Sequence, residues 1–157
     1  MREALRTGEL DVVLIPAVAP LPRFDHMIID AEPLVVIDPL CQTGTPVDLA
    51  SAGRDKFIMV PDTCGLTRFT NDLFKAHEMA IHAYPGEPAS YRVLEEWVNL
   101  GLGSAILPVS KLTSPDVPYR PLVDDGNEVE IFYEAVWKSG TSMAPDLKLL
   151  AQDLASR

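Results

Sequence analysis

Short apolar runs recur along this chain, with amphipathic helical patterns between them, and this alternation constrains the fold more than any other feature. The runs are Asp11–Ile15, Leu34–Ile37, Phe57–Val60, Ile81–Tyr84 and Ala105–Leu107. They are rich in Val and Ile, and Pro, Gly or Asp bounds most of them. Continuous apolar runs of this length are typical of strands buried on both faces of a sheet, as in parallel sheets. The sequence therefore predicts the α/β class.

Helical spacing of apolar residues marks the segments between these strands. Stripes along Leu66–Glu78, Tyr91–Leu100 and Pro145–Leu154 each predict a helix with one buried face. Residues 3–8 have the pattern of a helix that Gly8 closes. Glu128–Trp137 alternates partially and predicts a longer strand.

Charge and composition exclude several classes of protein. The 157 residues carry a net charge of -10 without a basic cluster, so this domain is not expected to bind nucleic acid by itself. Cys41 and Cys64 lie far apart without a metal-binding spacing, which favours reduced thiols. The first residues lack the apolar stretch of a signal peptide, and no run approaches membrane-spanning length. We therefore expect a cytoplasmic protein.

Motifs that resemble catalytic or metal sites fail on spacing. His77 and His82 are five residues apart, whereas a zinc-protease helix needs four. The glycines at 101–105 close a helix instead of opening one, which favours tight packing over phosphate binding. Asp124–Asn127 is predicted to be a solvated turn and not a calcium loop. With no nucleophile elbow present either, we expect no metal, no cofactor and no enzyme activity.

Two loops have the features of a ligand site. Pro61–Arg68 follows an apolar run and opens a helix, whose N-terminal amides favour anions. Thr63 and Thr67 add hydroxyl groups there, and Arg68 adds a cation. A simple Thr cap of the helix is the alternative, and both interpretations can hold together. The second loop, Gly86–Ser90, also follows a strand and opens a helix, so the two helix N-termini are predicted to face a shared cleft.

In order along the chain, several segments resemble the effector-binding domain of LysR-type transcription regulators. Gly8–Ile15 (GELDVVLI) is similar to a strand entry of that family, and Glu32–Ile37 (EPLVVI) to its next strand. Pro46–Ala50 resembles the short helix that follows. Gly101–Pro108 (GLGSAILP) is similar to the family's G-x-G-x-x-x-x-P stretch, and Pro145–Leu154 fits its C-terminal helix. The resemblance extends over nearly the whole chain.

The resemblance implies a periplasmic-binding-protein-like fold (type 2) of two Rossmann-like lobes with a ligand cleft between them. Lobe I is expected at residues 1–40 and 120–157, and lobe II at residues 41–119. A small effector, favoured to be an anion or a carboxylate, is expected in the cleft. Its expected contacts are Pro16, Ala17, Val18, Thr63, Gly65, Thr67, Arg68, Glu87 and Ser90.

The resemblance also implies which domains of the family lack a counterpart in this chain and which partners the chain has. The family's DNA-binding domain has no counterpart here, nor has the start of its lobe I, so we expect an N-terminally truncated domain that reaches DNA only through a separate domain. A homodimer is expected, in which Ala4 and Leu5 meet the helix face carrying Phe69, Leu73 and Phe74. A solute-binding protein of a transport system shares this fold and is the main alternative function.

Two tryptophans allow a test of the predicted packing. Trp97 shares the apolar stripe of its helix, so we expect it to be packed inside lobe II. Trp137 ends a strand, and we expect it to be only partly covered.

Overall fold

A computed structural model describes residues 2–18, 21–39, 44–61 and 65–156. The helices in this part of the chain are α1 (Arg2–Thr7), α2 (Leu49–Ala52), α3 (Leu66–Ala76), α4 (Tyr91–Asn99) and α5 (Ala144–Ala155). The strands are β1 (Val12–Pro16), β2 (Phe24–Ile37), β3 (Val47–Asp48), β4 (Lys56–Phe57), β5 (His82–Ala83), β6 (Ala105–Pro108), β7 (Arg120–Asp124), β8 (Asn127–Glu128) and β9 (Glu130–Lys138). The mixture of helices and strands confirms the α/β class, and every predicted helix is present.

The chain forms two compact units, Met1–Ala31 with Phe132–Arg157 (unit 1) and Glu32–Ile131 (unit 2). Both boundaries fall within long strands, because β2 and β9 each begin in one unit and end in the other. The apolar pattern of the sequence revealed only the end of β2, at Leu34–Ile37. The expected boundary of lobe I, at residue 40, therefore lies after β2 and not within it. The lobes expected at 1–40 with 120–157 and at 41–119 stay a prediction.

In unit 1, β1 pairs antiparallel with β9, which lies between β1 and β2. Alternating side chains of these strands supply two apolar clusters. One contains Leu5, Val13, Ile15 and Val136, and α1 contributes its Leu5. The other contains Ala135, Trp137, Leu147 and Ala151, of which the last two come from α5.

Burial in unit 1 corrects one expectation and limits another. Trp137 is only 4% exposed, since it packs with the α5 residues Leu147 and Ala151, so the expected partial cover is wrong. The Leu5 side chain is 2% exposed within its own unit. Phe74, on α3 in unit 2, is also fully buried, where it contacts the edge of the Phe57 ring. Leu5 and Phe74 are therefore not free to meet a partner, while Ala4, Phe69 and Leu73 are partly exposed, and the expected dimer stays a prediction.

In unit 2, β2 pairs antiparallel with β6 and with β7. β7 pairs parallel with β3 and antiparallel with β8. Leu34–Ile37 and Ala105–Leu107 are buried as predicted, whereas both residues of β5, in the run Ile81–Tyr84, are exposed. These pairs are mostly antiparallel, which the apolar runs alone do not indicate. The turn between β7 and β8 is confirmed, with left-handed conformations at Asp125 (φ 48°) and Gly126 (φ 81°).

The strand that precedes α3 is shorter than its apolar run. Phe57–Val60 was predicted to be a strand, yet β4 ends at Phe57. Ile58 and Val60 nevertheless remain buried. β4 pairs parallel with β5, and Phe57 forms a parallel bridge with Ser104. Burial alone therefore produced the apolar pattern here, without a long ladder of backbone hydrogen bonds.

The glycines after α4 make a tight helix-to-strand turn, as predicted. Gly101 is left-handed (φ 76°) and donates its N–H to the Val98 carbonyl, while Leu102 donates to Trp97. Both hydrogen bonds are those of a Schellman helix end. A Cβ on Gly103 would lie 2.5 Å from the Lys56 carbonyl oxygen. Both glycines therefore serve packing and chain reversal.

Candidate functional site

The N-terminus of α3 combines the features that favour an anion. Its N-cap is Gly65, in the left-handed conformation at φ 76°, and no side chain of the described residues caps the helix. The first backbone bond within the helix runs from Phe69 to Gly65, so the N–H groups of Leu66, Thr67 and Arg68 have no partner within the helix. The first turn holds no acidic residue. This end of the helix therefore presents the positive end of the helix dipole and N–H groups for which the described residues supply no side-chain cap.

Thr67 forms a hydrogen bond that links the start of α3 to the segment before it. Its hydroxyl donates to the Val60 carbonyl oxygen at 2.6 Å, and the side chain is half-buried. Since this donor is already used, the Thr67 oxygen can only accept a hydrogen bond from a ligand. Gly65 occupies the N-cap position, so Thr67 does not supply the Thr cap that the sequence left as the alternative. Thr63 lies outside the described residues.

Arg68 supplies a cation in the first turn of α3. Its Nε lies 3.8 Å from an Asp72 carboxylate oxygen, one helical turn further on. Both side chains are about half exposed, at 49% and 57%. An exposed pair at this distance is weak, so the guanidinium can turn towards another anion at low cost.

The second predicted loop differs from the first. Ser90 caps α4, because its side chain accepts a hydrogen bond from the Val93 N–H at 3.3 Å. Glu87 is exposed, whereas Pro88 is buried. Trp97 of α4 packs edge-on against Tyr84, with 5.6 Å between the two ring centroids. Its side chain is half-buried, so Trp97 is less enclosed than the packed position that the sequence predicted. The Ser90 side chain thus already has a structural role.

Pro16, Ala17 and Val18 belong to unit 1. Pro16 ends β1 opposite Tyr133, and Ala17 donates its N–H to the Phe132 carbonyl at 2.8 Å. Val18 donates to the Pro16 carbonyl at 3.0 Å. All three side chains are partly exposed. Their backbone positions are therefore well fixed within this unit.

Two cavities in unit 2 can be compared with the site at α3. A cavity of about 10 Å³ lies beside Thr67 and Thr70, which is room for about one water molecule. A groove of about 250 Å³ runs beside α4, and the carboxyl groups of Asp38, Glu95 and Asp116 are among its lining. The first is too small for a metabolite, and the second is electrostatically unsuited to an anion. An anion that binds to α3 would therefore lie against its exposed end.

Buried carboxylates are the polar groups that the sequence did not reveal. Glu95 is 7% exposed and accepts hydrogen bonds from both the backbone N–H and the hydroxyl of Thr113. Glu134 is 5% exposed, and one of its oxygens lies 2.7 Å from His26 Nδ1. A Glu inside the apolar run of β9 was the available signal for the second. Both groups are partnered, so we assign them to the stability of the fold.

Across the described ranges, no three His, Cys, Asp or Glu side chains converge to hold a metal ion. None of the helices seen there is long and apolar enough to cross a membrane. Cys41 and Cys64 lie outside the described residues.

The sequence matches the family described as LysR substrate binding domain over residues 1–157. The chain belongs to this family, which confirms the resemblance. These are regulatory domains and not enzymes, so the prediction of a protein without enzyme activity is also confirmed. No curated protein sequence is significantly similar to the chain.

Solved structures show the same fold at low sequence identity. A mutant of Corynebacterium glutamicum OxyR has a TM-score of 0.82 at 18% identity, over 99% of this chain and 50% of that one. The CcmR regulatory domain of Synechocystis PCC6803, in complex with 2-PG, has a TM-score of 0.73 at 16% identity, over 99% and 76%. Full-length CbnR in complex with its target DNA has a TM-score of 0.75 at 17% identity, over 99% and 57%. The chain thus spans about half the length of the first of these relatives.

Proposed function

We propose that this effector-binding domain senses a small anionic metabolite, and that the N-terminus of α3 is its principal contact. The observation that carries the proposal is the helix end at Gly65, which no side chain of the described residues caps, with Arg68 in its first turn. Free N–H groups and the helix dipole favour negative charge there. A guanidinium adds charge-assisted hydrogen bonds to a carboxylate or phosphate.

Family membership supports a finer proposal about how the fold is used. In this view the two units are the Rossmann-like lobes of a periplasmic-binding-protein-like fold, and residues from both contact the effector. Pro16, Ala17 and Val18 would contribute from unit 1, and Thr63, Gly65, Thr67, Arg68, Glu87 and Ser90 from unit 2. Of these, Ser90 would act by capping α4 and not through its side chain on the effector, because that side chain already accepts the Val93 N–H. Glu87 would suit a hydroxyl or amine of the effector, since its charge repels an anion.

The role in transcription follows from the same membership. We propose that the domain regulates transcription in the cytoplasm by passing effector binding to a separate DNA-binding domain. The net charge of -10 supports the assignment of DNA binding to a separate domain, because a negatively charged surface does not attract the DNA backbone. We also propose a homodimer, through a surface other than the buried Leu5 and Phe74.

Calorimetric titration with a defined panel of small molecules tests the proposed function. Inorganic phosphate, sulfate and short dicarboxylates are compared with glycerol and urea as neutral controls. We expect measurable binding of at least one anion and none of the neutral compounds. Binding confined to neutral or cationic compounds would contradict an anionic effector.

A further inference from the structure

The groove beside α4 has a lining opposite in charge to the start of α3. It has a volume of about 250 Å³ and lies wholly within unit 2. Its apolar walls are formed by Ile37, Val98, Val117 and Pro118. Its charged groups are the carboxylates of Asp38, Glu95 and Asp116, and none of the described residues that line it is basic. Such a lining suits a small ligand that carries a positive charge on an apolar body.

Glu95 is the buried charge of this groove. It is 7% exposed, and its two oxygens accept hydrogen bonds from the backbone N–H and the hydroxyl of Thr113. Both of these donors are neutral. A buried carboxylate is costly without a positive partner, and each of its oxygens can accept a further hydrogen bond. Glu95 therefore holds Thr113 in place and still has the capacity to bind a cation.

The arginines closest to the groove already pair with other carboxylates. Arg92 lies 3.6 Å from Glu96, and Arg120 lies 3.8 Å from Asp38. Arg120 also donates to the carbonyl oxygens of two residues before β3. Among the described residues, no Lys, Arg or His forms an ion pair with Glu95. The charge of Glu95 is therefore left for a ligand to neutralise.

The end of α4 adds to the negative potential. Val98 and Asn99 lie in the last turn of this helix, at the negative end of its dipole. A basic residue is favourable in such a turn, and α4 has none there. Asn99 and Ser114 also line the groove, and their side-chain oxygens can accept hydrogen bonds from an ammonium group.

The shape of the site favours an organic cation over a metal ion. Across the part of the chain that the structure describes, no three His, Cys, Asp or Glu side chains converge to hold a metal. A second groove of about 350 Å³ shares Glu95, Asn99 and Ser114 with the first. The space on both sides of Glu95 therefore admits a chain of several atoms.

We propose that the groove beside α4 binds a small aliphatic amine. Its ammonium group contacts the Glu95 carboxylate, and its carbon chain lies against Val98 and Val117. Asp116 contributes a second negative charge, so a ligand that carries a carboxylate of its own is disfavoured. This site lies apart from the anion contact at the start of α3 and does not depend on it. The two proposals can therefore fail separately.

Amide NMR spectra of the full chain, titrated with n-butylammonium chloride at constant ionic strength, provide the test. An alkylamine is protonated at neutral pH, as the lysine side chain is. We expect the N–H resonances of Asn99, Thr113 and Ser114 to move together and to saturate in roughly the millimolar range, because the ligand has few atoms.

Three further ligands separate the charge from the chain. Butan-1-ol keeps the apolar chain without the charge, potassium chloride supplies a cation without the chain, and 4-aminobutanoate adds a carboxylate. Each should bind at least about tenfold more weakly than n-butylammonium. Equal binding of any one of them would overturn the proposed ligand class, and resonances that stay still with n-butylammonium would overturn the site.

Variants then assign the binding to the acidic lining. Glu95→Gln should weaken n-butylammonium binding at least about tenfold, because a charge-assisted contact is lost. Asp116→Asn should weaken it about threefold, since this carboxylate is exposed. Glu128→Gln is the matched control, because it removes one negative charge from an exposed position on β8 and should leave the affinity within about twofold.

The two lining variants differ in their risk to the fold. Glu95→Gln also alters the contact with Thr113, whereas Asp116→Asn changes an exposed side chain. Asp116→Asn therefore decides the outcome if Glu95→Gln does not fold. Affinities equal to that of Glu128→Gln in the lining variants that fold would overturn the proposal.

Discussion

The helices α3 and α4 start in the same kind of sequence context, yet their N-termini differ in what they leave free. α4 begins at Ser90, whose side chain accepts the Val93 N–H and satisfies the helix end. α3 begins at Gly65, which has no side chain to do so. Both helices carry an arginine in the first turn that pairs with an acidic residue four positions later. We therefore expect the start of α3, and not the capped start of α4, to favour an anion.

The largest expected effect distinguishes the two arginines. Arg68→Glu should weaken the binding of the anion selected by calorimetry about tenfold to a hundredfold, because a charge-assisted contact contributes about 1.5–3 kcal/mol. The measurement is isothermal titration of both proteins at the same ionic strength.

Arg92→Glu is the matched control for that experiment. Arg92 lies 3.6 Å from Glu96, which mirrors the pair between Arg68 and Asp72. Because the α4 end is already capped, we expect the affinity to change less than about threefold, the size of a rim charge effect. An equal loss of affinity in both variants would mean that anion binding depends only on the net charge of unit 2 and not on a contact with Arg68.

The next effect concerns the left-handed start of α3. Gly65→Ala should lower the free energy of unfolding by about 1–2 kcal/mol, because a Cβ is disfavoured at φ 76°. Gly65→Asn should cost less, since Asn tolerates this conformation better. Urea unfolding of the three proteins measures the difference. Equal stability of the Ala variant and the parent protein would contradict the conformation described for Gly65.

A smaller effect is expected at the cap of α4. Ser90→Ala should lower the free energy of unfolding by about 1 kcal/mol, the usual cost of losing an N-cap side chain. The affinity for the anion should stay within the error of the titration. A large loss of affinity with unchanged stability would instead show that Ser90 contacts the ligand directly.

The smallest effect lies at the other end of α3. The hydrogen bond between the His77 ring and the Leu73 carbonyl raises the pKa of His77, and the nearby Asp124 charge adds to this. A raised pKa in the folded state means that the stabilisation is complete below the unfolded value near 6.5 and is lost as the pH rises through the folded value. The stability difference between the parent protein and His77→Gln should therefore shrink between about pH 6 and pH 8. A difference that grows over this range would contradict the assigned direction.

The sequence predicted the elements of the fold better than their pairing. Helical periodicity located α3, α4 and α5 within a few residues, because each helix buries one face. The apolar run Leu34–Ile37 predicted a buried strand but missed its continuation back to Phe24, where the side chains are mostly exposed. Whether two strands pair parallel or antiparallel depends on which distant segments meet in the fold. The local pattern of apolar residues does not predict that pairing.

The site was predictable only in part, for a similar reason. The sequence located the helix starts at both loops, because glycine, serine and threonine favour such positions. It could not show that Ser90 satisfies its own helix while Gly65 does not, because this depends on backbone conformation. The hydrogen bond from Thr67 to Val60 also joins two segments whose contact only the folded structure reveals.

Backbone amide shifts during a titration with the selected anion test the central claim most directly. If the anion binds at α3, the N–H resonances of Leu66, Thr67 and Arg68 should move together and saturate with the calorimetric affinity. The resonances of Tyr91, Arg92 and Val93, at the capped start of α4, should move much less. Saturating shifts at α4 with silent amides at α3 would contradict the account.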